Sequence, residues 1–148
     1  MRALRVATLV ATISLVGFVS TASAEPPAPV LIEAHPTQFC CPETGWWTAS
    51  GAITDIGLFE RTFGQTAPPD APFGALVPLR EVFVFSSSQG TLTIRDESRN
   101  TADGVTGVWQ VVSGTGAYEG ASGHGTLSFS VAPGLFTLSL DGVMSTAG

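Results

Sequence analysis

Lysine is absent from this sequence, and all six basic residues are arginine. The chain carries 12 acidic residues, and only 12% of its residues are charged. Nucleic-acid affinity needs clustered Lys and Arg, so the composition argues against a nucleic-acid partner. The 44% of hydrophobic residues and the low charge also argue against a disordered acidic tail. A compact, turn-rich β protein fits this composition.

Cysteine is scarce as well, and the two cysteines, Cys40 and Cys41, are neighbours. Adjacent Cα atoms lie about 3.8 Å apart, whereas ordinary disulfides span about 4.4–6.8 Å. The pair is compatible with a strained vicinal disulfide, with disulfides between chains, or with free thiols, which an oxidising compartment disfavours most. Two cysteines and the distant His35 lack a recognised zinc-ligand spacing, so we predict no metal site.

Only the N-terminus contains a long apolar run. Arg2 and Arg5 precede an apolar stretch over 6–19, and residues 22–24 are Ala-Ser-Ala, a small-residue cleavage site. The run is shorter than the ~20 residues that a transmembrane helix needs. We therefore predict a signal peptide over 1–24, a secreted protein, and no membrane span after its removal.

Removal of 24 residues from the 148 leaves 124, with 12 acidic residues and four arginines. This length suits one domain with a single core. The Pro-rich start predicts an extended N-terminal segment over 25–44, and residues 45–148 are expected to form one β domain.

Apolar residues alternate with Ser and Thr along much of the mature chain, and period 2 places each apolar set on one side of a sheet. No mature segment has a sustained helical period. Strands are predicted at 45–53, 56–63, 80–85, 91–95, 105–112, 126–131 and 135–144, and loops at 64–78 and 96–103. About seven strands at short spacing predict a closed barrel or a β-sandwich.

A glycine-rich segment precedes the last two predicted strands. Gly114, Gly116 and Gly120 resemble a dinucleotide fingerprint, but the third glycine comes one residue late and a strand follows instead of a helix. We therefore interpret the segment as a tight turn that needs positive φ.

Aromatic residues are the candidates for lining the interior, namely Trp46, Trp47, Phe83, Phe85 and Trp109. They either pack as a core or, because a barrel of about eight strands can hold one small ligand, line a cavity. Alternation requires Trp46 and Trp47 to point to opposite faces, whereas Phe83 and Phe85 share a face.

Two further segments are distinctive: residues 111–123 read Val-Val-Ser-Gly-Thr-Gly-Ala-Tyr-Glu-Gly-Ala-Ser-Gly, and residues 83–92 read Phe-Val-Phe-Ser-Ser-Ser-Gln-Gly-Thr-Leu. Together they resemble the dirigent and allene oxide cyclase-like barrel superfamily. The resemblance covers roughly residues 45–145. It implies an antiparallel barrel of eight strands with an apolar central cavity, often trimeric, whose members guide radical coupling or catalyse cyclisation without a cofactor.

Our leading hypothesis is a secreted barrel that binds a small apolar molecule in its central cavity through those five aromatic residues. One alternative is a cofactor-free cyclase, isomerase or coupling guide, for which the candidate catalytic residues are Glu81, Arg80, Arg95 and Tyr118. Another is a structural secreted module whose barrel is filled with side chains. A dimer or a trimer of the chain is left open, and no cofactor is expected.

The processing prediction can be tested directly. Secreted material is expected to begin at Glu25, because Ala22 and Ala24 occupy the small positions that a signal peptidase recognises. Intact-mass analysis or N-terminal sequencing of the exported protein measures this, and an N-terminus at Met1 would contradict it.

Overall fold

Alternating apolar and polar side chains form eight antiparallel strands in a computed structural model that describes residues 26–38, 42–65, 78–101, 104–132 and 134–146. The strands are β1 (Ala28–Gln38), β2 (Glu43–Gly51), β3 (Asp55–Gln65), β4 (Pro78–Ser86), β5 (Thr91–Thr101), β6 (Gly104–Gly114), β7 (Ser122–Ala132) and β8 (Leu135–Ser145). Each pairs with its neighbours in sequence, and β1 also pairs with β8. The fold is therefore a closed eight-stranded barrel and not a sandwich.

The barrel begins before residue 45, in contrast to the domain boundary expected from the sequence. β1 lies within the segment 25–44 and pairs with both β2 and β8. The prolines of this segment prevented the prediction of a strand, because proline is unusual in a paired strand. Pro36, however, lies at a register shift between β1 and β2, where proline is tolerated.

The expected loop at 96–103 is also wrong for residues 96–101, which continue β5. Asp96 and Ser98 are buried on the inner side of the barrel, at positions where the alternation pattern calls for apolar residues. Because polar residues occupy these inward positions, the alternation of apolar and polar residues that predicts a strand is lost there.

Aromatic rings fill the middle of the barrel. Trp47, Phe83, Phe85 and Trp109 are all buried, whereas Trp46 is 40% exposed on the outer surface. The two neighbouring tryptophans thus point to opposite faces, as alternation predicts. Each buried indole N–H also donates a hydrogen bond. Trp47 Nε1 donates to the carbonyl oxygen of Ser86, and Trp109 Nε1 donates to that of Asp141, each at 3.2 Å.

Glycines on other strands make room for these rings. A Cβ atom at Gly57 would lie 2.8 Å from Trp47 Nε1, and one at Gly142 would lie 2.8 Å from Trp109 Cζ2. Real Cβ atoms do not approach that closely, so the rings occupy space that any larger residue would take. Close packing of this kind leaves little free volume at the centre.

The two ends of the barrel differ. At the end where β6 connects to β7, a short 3₁₀ helix (Gly116–Tyr118) turns the chain, and the buried Tyr118 donates a hydrogen bond to Asp55 of β3. We call the other end, where β3 ends and β4 begins, the mouth. No helix within the described ranges is long and apolar enough to cross a membrane.

The turn before Tyr118 gives a stability prediction. Gly116 has φ of 62°, and a Cβ there would collide with the carbonyl oxygen of Gln89 and lie 3.1 Å from Gly90 Cα. Gly134 also has positive φ, at 78°, but faces open space. We expect Gly116→Val to destabilise by at least ~1 kcal/mol more than Gly134→Val, because only the first adds a steric clash to backbone strain.

Thermal or denaturant unfolding of both variants measures this difference. Equal losses of stability in the two would contradict the close approach of the turn to residue 90.

Candidate functional site

At the mouth, inward side chains of the described residues enclose a cavity of about 170 Å³. Its lining residues are Glu43, Arg61, Leu79, Glu81, Phe83, Val105, Leu127, Phe129 and Leu138. A cavity of about 150 Å³ is known to hold benzene, so this space suits a molecule with one ring. Larger hollows, of up to about 590 Å³, lie on the outer surface, for example beside Trp46 and Leu58.

One side of the cavity is charged. Arg61 Nη1 lies 2.6 Å from Glu81 Oε1 and 3.3 Å from Glu43 Oε2. Arg61 and Glu43 are paired residues of β3 and β2, and a register shift between β3 and β4 follows Arg61. The register therefore brings together three charged residues that are far apart in sequence.

Burial raises the pKa of Glu43, and the negative charge of Glu81 adds to this effect while Arg61 opposes it. The carboxyl of Glu43 is therefore easier to protonate than an ordinary glutamate. A group of this kind can exchange a proton with a bound molecule nearer to neutral pH than a solvated carboxyl can.

A second carboxyl lies beside Glu81. Asp96 is 1% exposed, and its Oδ1 accepts a hydrogen bond of 2.8 Å from the backbone N–H of Glu81. Within the described part of the chain, neither Asp96 Oδ2 nor Ser98 Oγ has a hydrogen-bond partner. Burial raises the pKa of Asp96 to about 6; the nearby Ser98 hydroxyl opposes this effect, and the charge of Glu81 adds to it.

The facing side of the cavity is apolar. β6, β7 and β8 supply Val105, Leu127, Phe129 and Leu138. The cavity thus has an apolar half and a polar half, the combination that is typical of small-molecule sites, where a few polar groups orient an apolar body.

Of the catalytic candidates named from the sequence, Glu81 is the one that lines this cavity. Arg80 points outward, 65% exposed, with Nε 3.9 Å from Glu97 Oε1, and Arg95 is also exposed. Tyr118 is buried at the opposite end of the barrel. These four residues therefore do not form one site.

The aromatic candidates divide in a similar way. Phe83 lines the mouth cavity, while Trp47, Phe85 and Trp109 pack in the filled centre. Trp46 lies outside, where its ring stacks on that of His35 with centroids 3.9 Å apart. Cys40 and Cys41 lie outside the described residues.

Sequence reasoning missed Glu43, Arg61, Asp96 and Ser98. A usable signal existed for Arg61, which lies two residues after Phe59 within the predicted strand 56–63, whereas Asp96 and Ser98 fall in the segment predicted as a loop. A charged residue in the inward phase of a predicted strand marks an interior polar site.

Among the described residues, no group of three or more His, Cys, Asp or Glu side chains is arranged to hold a metal ion. Comparisons with protein-family models, with curated proteins and with solved structures found no match.

Asp96 gives a pH prediction. Its pKa is higher in the folded state, about 6 against 3.8, so the folded state binds the proton more tightly than the unfolded state. Stability should therefore fall as the pH rises from about 4 to about 6, by up to about 3 kcal/mol from this group alone.

Asp96→Asn keeps the acceptor for the Glu81 N–H but removes the buried charge. We expect this variant to lose less stability than the parent protein over that pH range and to be more stable at neutral pH. Denaturant unfolding across pH measures this, with the exposed Asp141→Asn as the matched control. Parallel pH profiles for the parent and Asp96→Asn would contradict a raised pKa.

Proposed function

We propose that this protein binds a small molecule with an apolar body in the mouth cavity. The observation that carries the proposal is the two-sided lining, in which charged groups face a wall of Val105, Leu127, Phe129 and Leu138. Apolar contact contributes about 25 cal/mol per Å² of surface removed from water, and the charged side fixes orientation.

The position of the cavity refines the hypothesis of a central binding site. Buried rings such as Trp47 and Trp109 occupy the centre, so the ligand would lie at the mouth with Phe83 as its aromatic contact. The resemblance to dirigent and allene oxide cyclase-like proteins supports a ligand inside a barrel. Secretion after removal of residues 1–24, and assembly into a dimer or trimer, belong to the same proposal.

A second candidate function is a cofactor-free cyclase or isomerase. The observation that favours it is the carboxylate pair on the cavity wall, with Glu43 raised in pKa and Glu81 held by Arg61 at 2.6 Å. Enclosure would orient the substrate, and Glu43 would transfer a proton at the apolar intermediate. Conversion of a bound compound, lost in Glu43→Gln with binding retained, separates this function from simple binding.

A cavity-filling variant tests the binding site. Val105→Phe places a ring in the cavity, so we expect affinity for single-ring compounds to fall at least about tenfold while the barrel stays folded. The matched control is Val108→Phe on the same strand, because Val108 is exposed on the outer surface. Calorimetric or NMR titration of the parent protein and both variants measures the affinities.

Equal binding by Val105→Phe and the parent protein would place the ligand elsewhere. An absence of saturable binding across a broad library of single-ring compounds would leave the structural module as the function.

A further inference from the structure

The charges that line the mouth cavity do not balance. Arg61 is the one basic residue among the described lining residues, and two acidic residues, Glu43 and Glu81, face it. One arginine between two carboxylates leaves an excess negative charge at the cavity wall. Partly buried charges are screened much less by salt than solvent-exposed ones, so this excess acts on a bound molecule.

The other arginines of the described residues do not supply a compensating cation there. Arg80 and Arg95 are on the outer surface, and Arg99 is exposed as well. The connecting residues 39–41, 66–77 and 102–103 contain no Arg, Lys or His.

The surroundings of Asp96 also indicate uncompensated negative charge near the cavity. Asp96 faces the barrel interior beside Glu81 and is almost completely buried, and its Oδ2 makes no close hydrogen bond with a described residue. Buried carboxylate oxygens normally have a hydrogen-bond donor or a cation, and one without a partner calls for an explanation. A positive group bound in the neighbouring cavity would lower the electrostatic cost of burying both Asp96 and the one glutamate that Arg61 does not neutralise.

We propose that the ligand of the mouth cavity is a primary amine, bound as its ammonium with the apolar body against β6, β7 and β8. This inference rests on the proposed binding function. An ammonium donates up to three hydrogen bonds and can contact Glu43 and Glu81 without displacing Arg61. Hydrogen bonds between charged groups are about twice as strong as neutral ones.

A carboxylate ligand fits this wall poorly. Glu81 and Glu43 already contact Arg61 Nη1 at 2.6 Å and 3.3 Å, so a carboxylate that approached the same nitrogen would compete with both glutamates. The ligand would also lie next to two like charges. A neutral alcohol avoids this repulsion but gains only ordinary hydrogen bonds.

Three compounds with one shared ring test the inference: benzylamine, benzyl alcohol and benzoate. Calorimetric titration of the purified protein at neutral pH is expected to give an affinity for benzylamine about tenfold higher than for benzyl alcohol, with benzoate weakest. The shared ring keeps the apolar contribution nearly constant, so the ratios report the polar side of the cavity.

Variants then identify the groups responsible. Glu43→Gln/Glu81→Gln removes both carboxylates and leaves Arg61 free, so the order should invert and benzoate should bind best. The matched control is Glu33→Gln/Glu60→Gln, which removes two carboxylates that point away from the interior on β1 and β3. This control should keep the original order. If the first double variant does not fold, Glu43→Gln alone should still reduce the preference for benzylamine.

The outcomes separate the two proposals. Equal affinities for benzylamine and benzyl alcohol, or tighter binding of benzoate, would overturn the amine inference and leave the binding site intact. An unchanged preference for benzylamine in a folded Glu43→Gln/Glu81→Gln variant would also overturn the amine inference. An absence of binding by all three compounds, and by a wider library of single-ring molecules, would overturn both.

Discussion

Pairing of β1 with β8 is the constraint on which the rest of the structure depends. It leaves no open sheet edge among the eight strands, and it fixes the width of the interior at a size that side chains can fill. Once the width is set, the volumes of the inward residues decide where space remains. Bulky rings such as Trp47 and Trp109, each packed against a glycine of another strand, fill the centre. Space is left at the mouth.

The charged groups at the mouth contribute little to the stability of the fold. A partly buried ion pair is weak evidence for stability, because the loss of hydration offsets much of the attraction between the charges. Asp96, with a pKa raised to about 6, lowers stability at neutral pH. Apolar residues at these positions would continue the core formed by Ile94 and Phe83. Groups that cost stability in a cleft are typical of functional sites, which is why the mouth is a stronger candidate than the well-packed centre.

Period-2 alternation predicted the all-β class, strands within β7 and β8, and the opposite orientations of Trp46 and Trp47. It failed for β1, where proline weakened the strand signal, and for the second half of β5, where Asp96 and Ser98 point inward. Of the charged cavity residues, only Glu81 was named from the sequence. The approach of Glu43 and Arg61 to Glu81 depends on strand register and on the shift after Arg61, and local sequence does not encode either explicitly.

The size of the cavity makes its charged side decisive for specificity. A space of about 170 Å³ accepts one ring, and the apolar wall can distinguish such rings only by shape. An extra methylene in an apolar pocket changes binding by only about 1–3 kcal/mol, whereas a mismatched polar group leaves buried charges unpaired and costs more. Recognition therefore depends mainly on how the ligand meets Glu43, Arg61 and Glu81, and the filled centre below the cavity limits how deeply any ligand can enter.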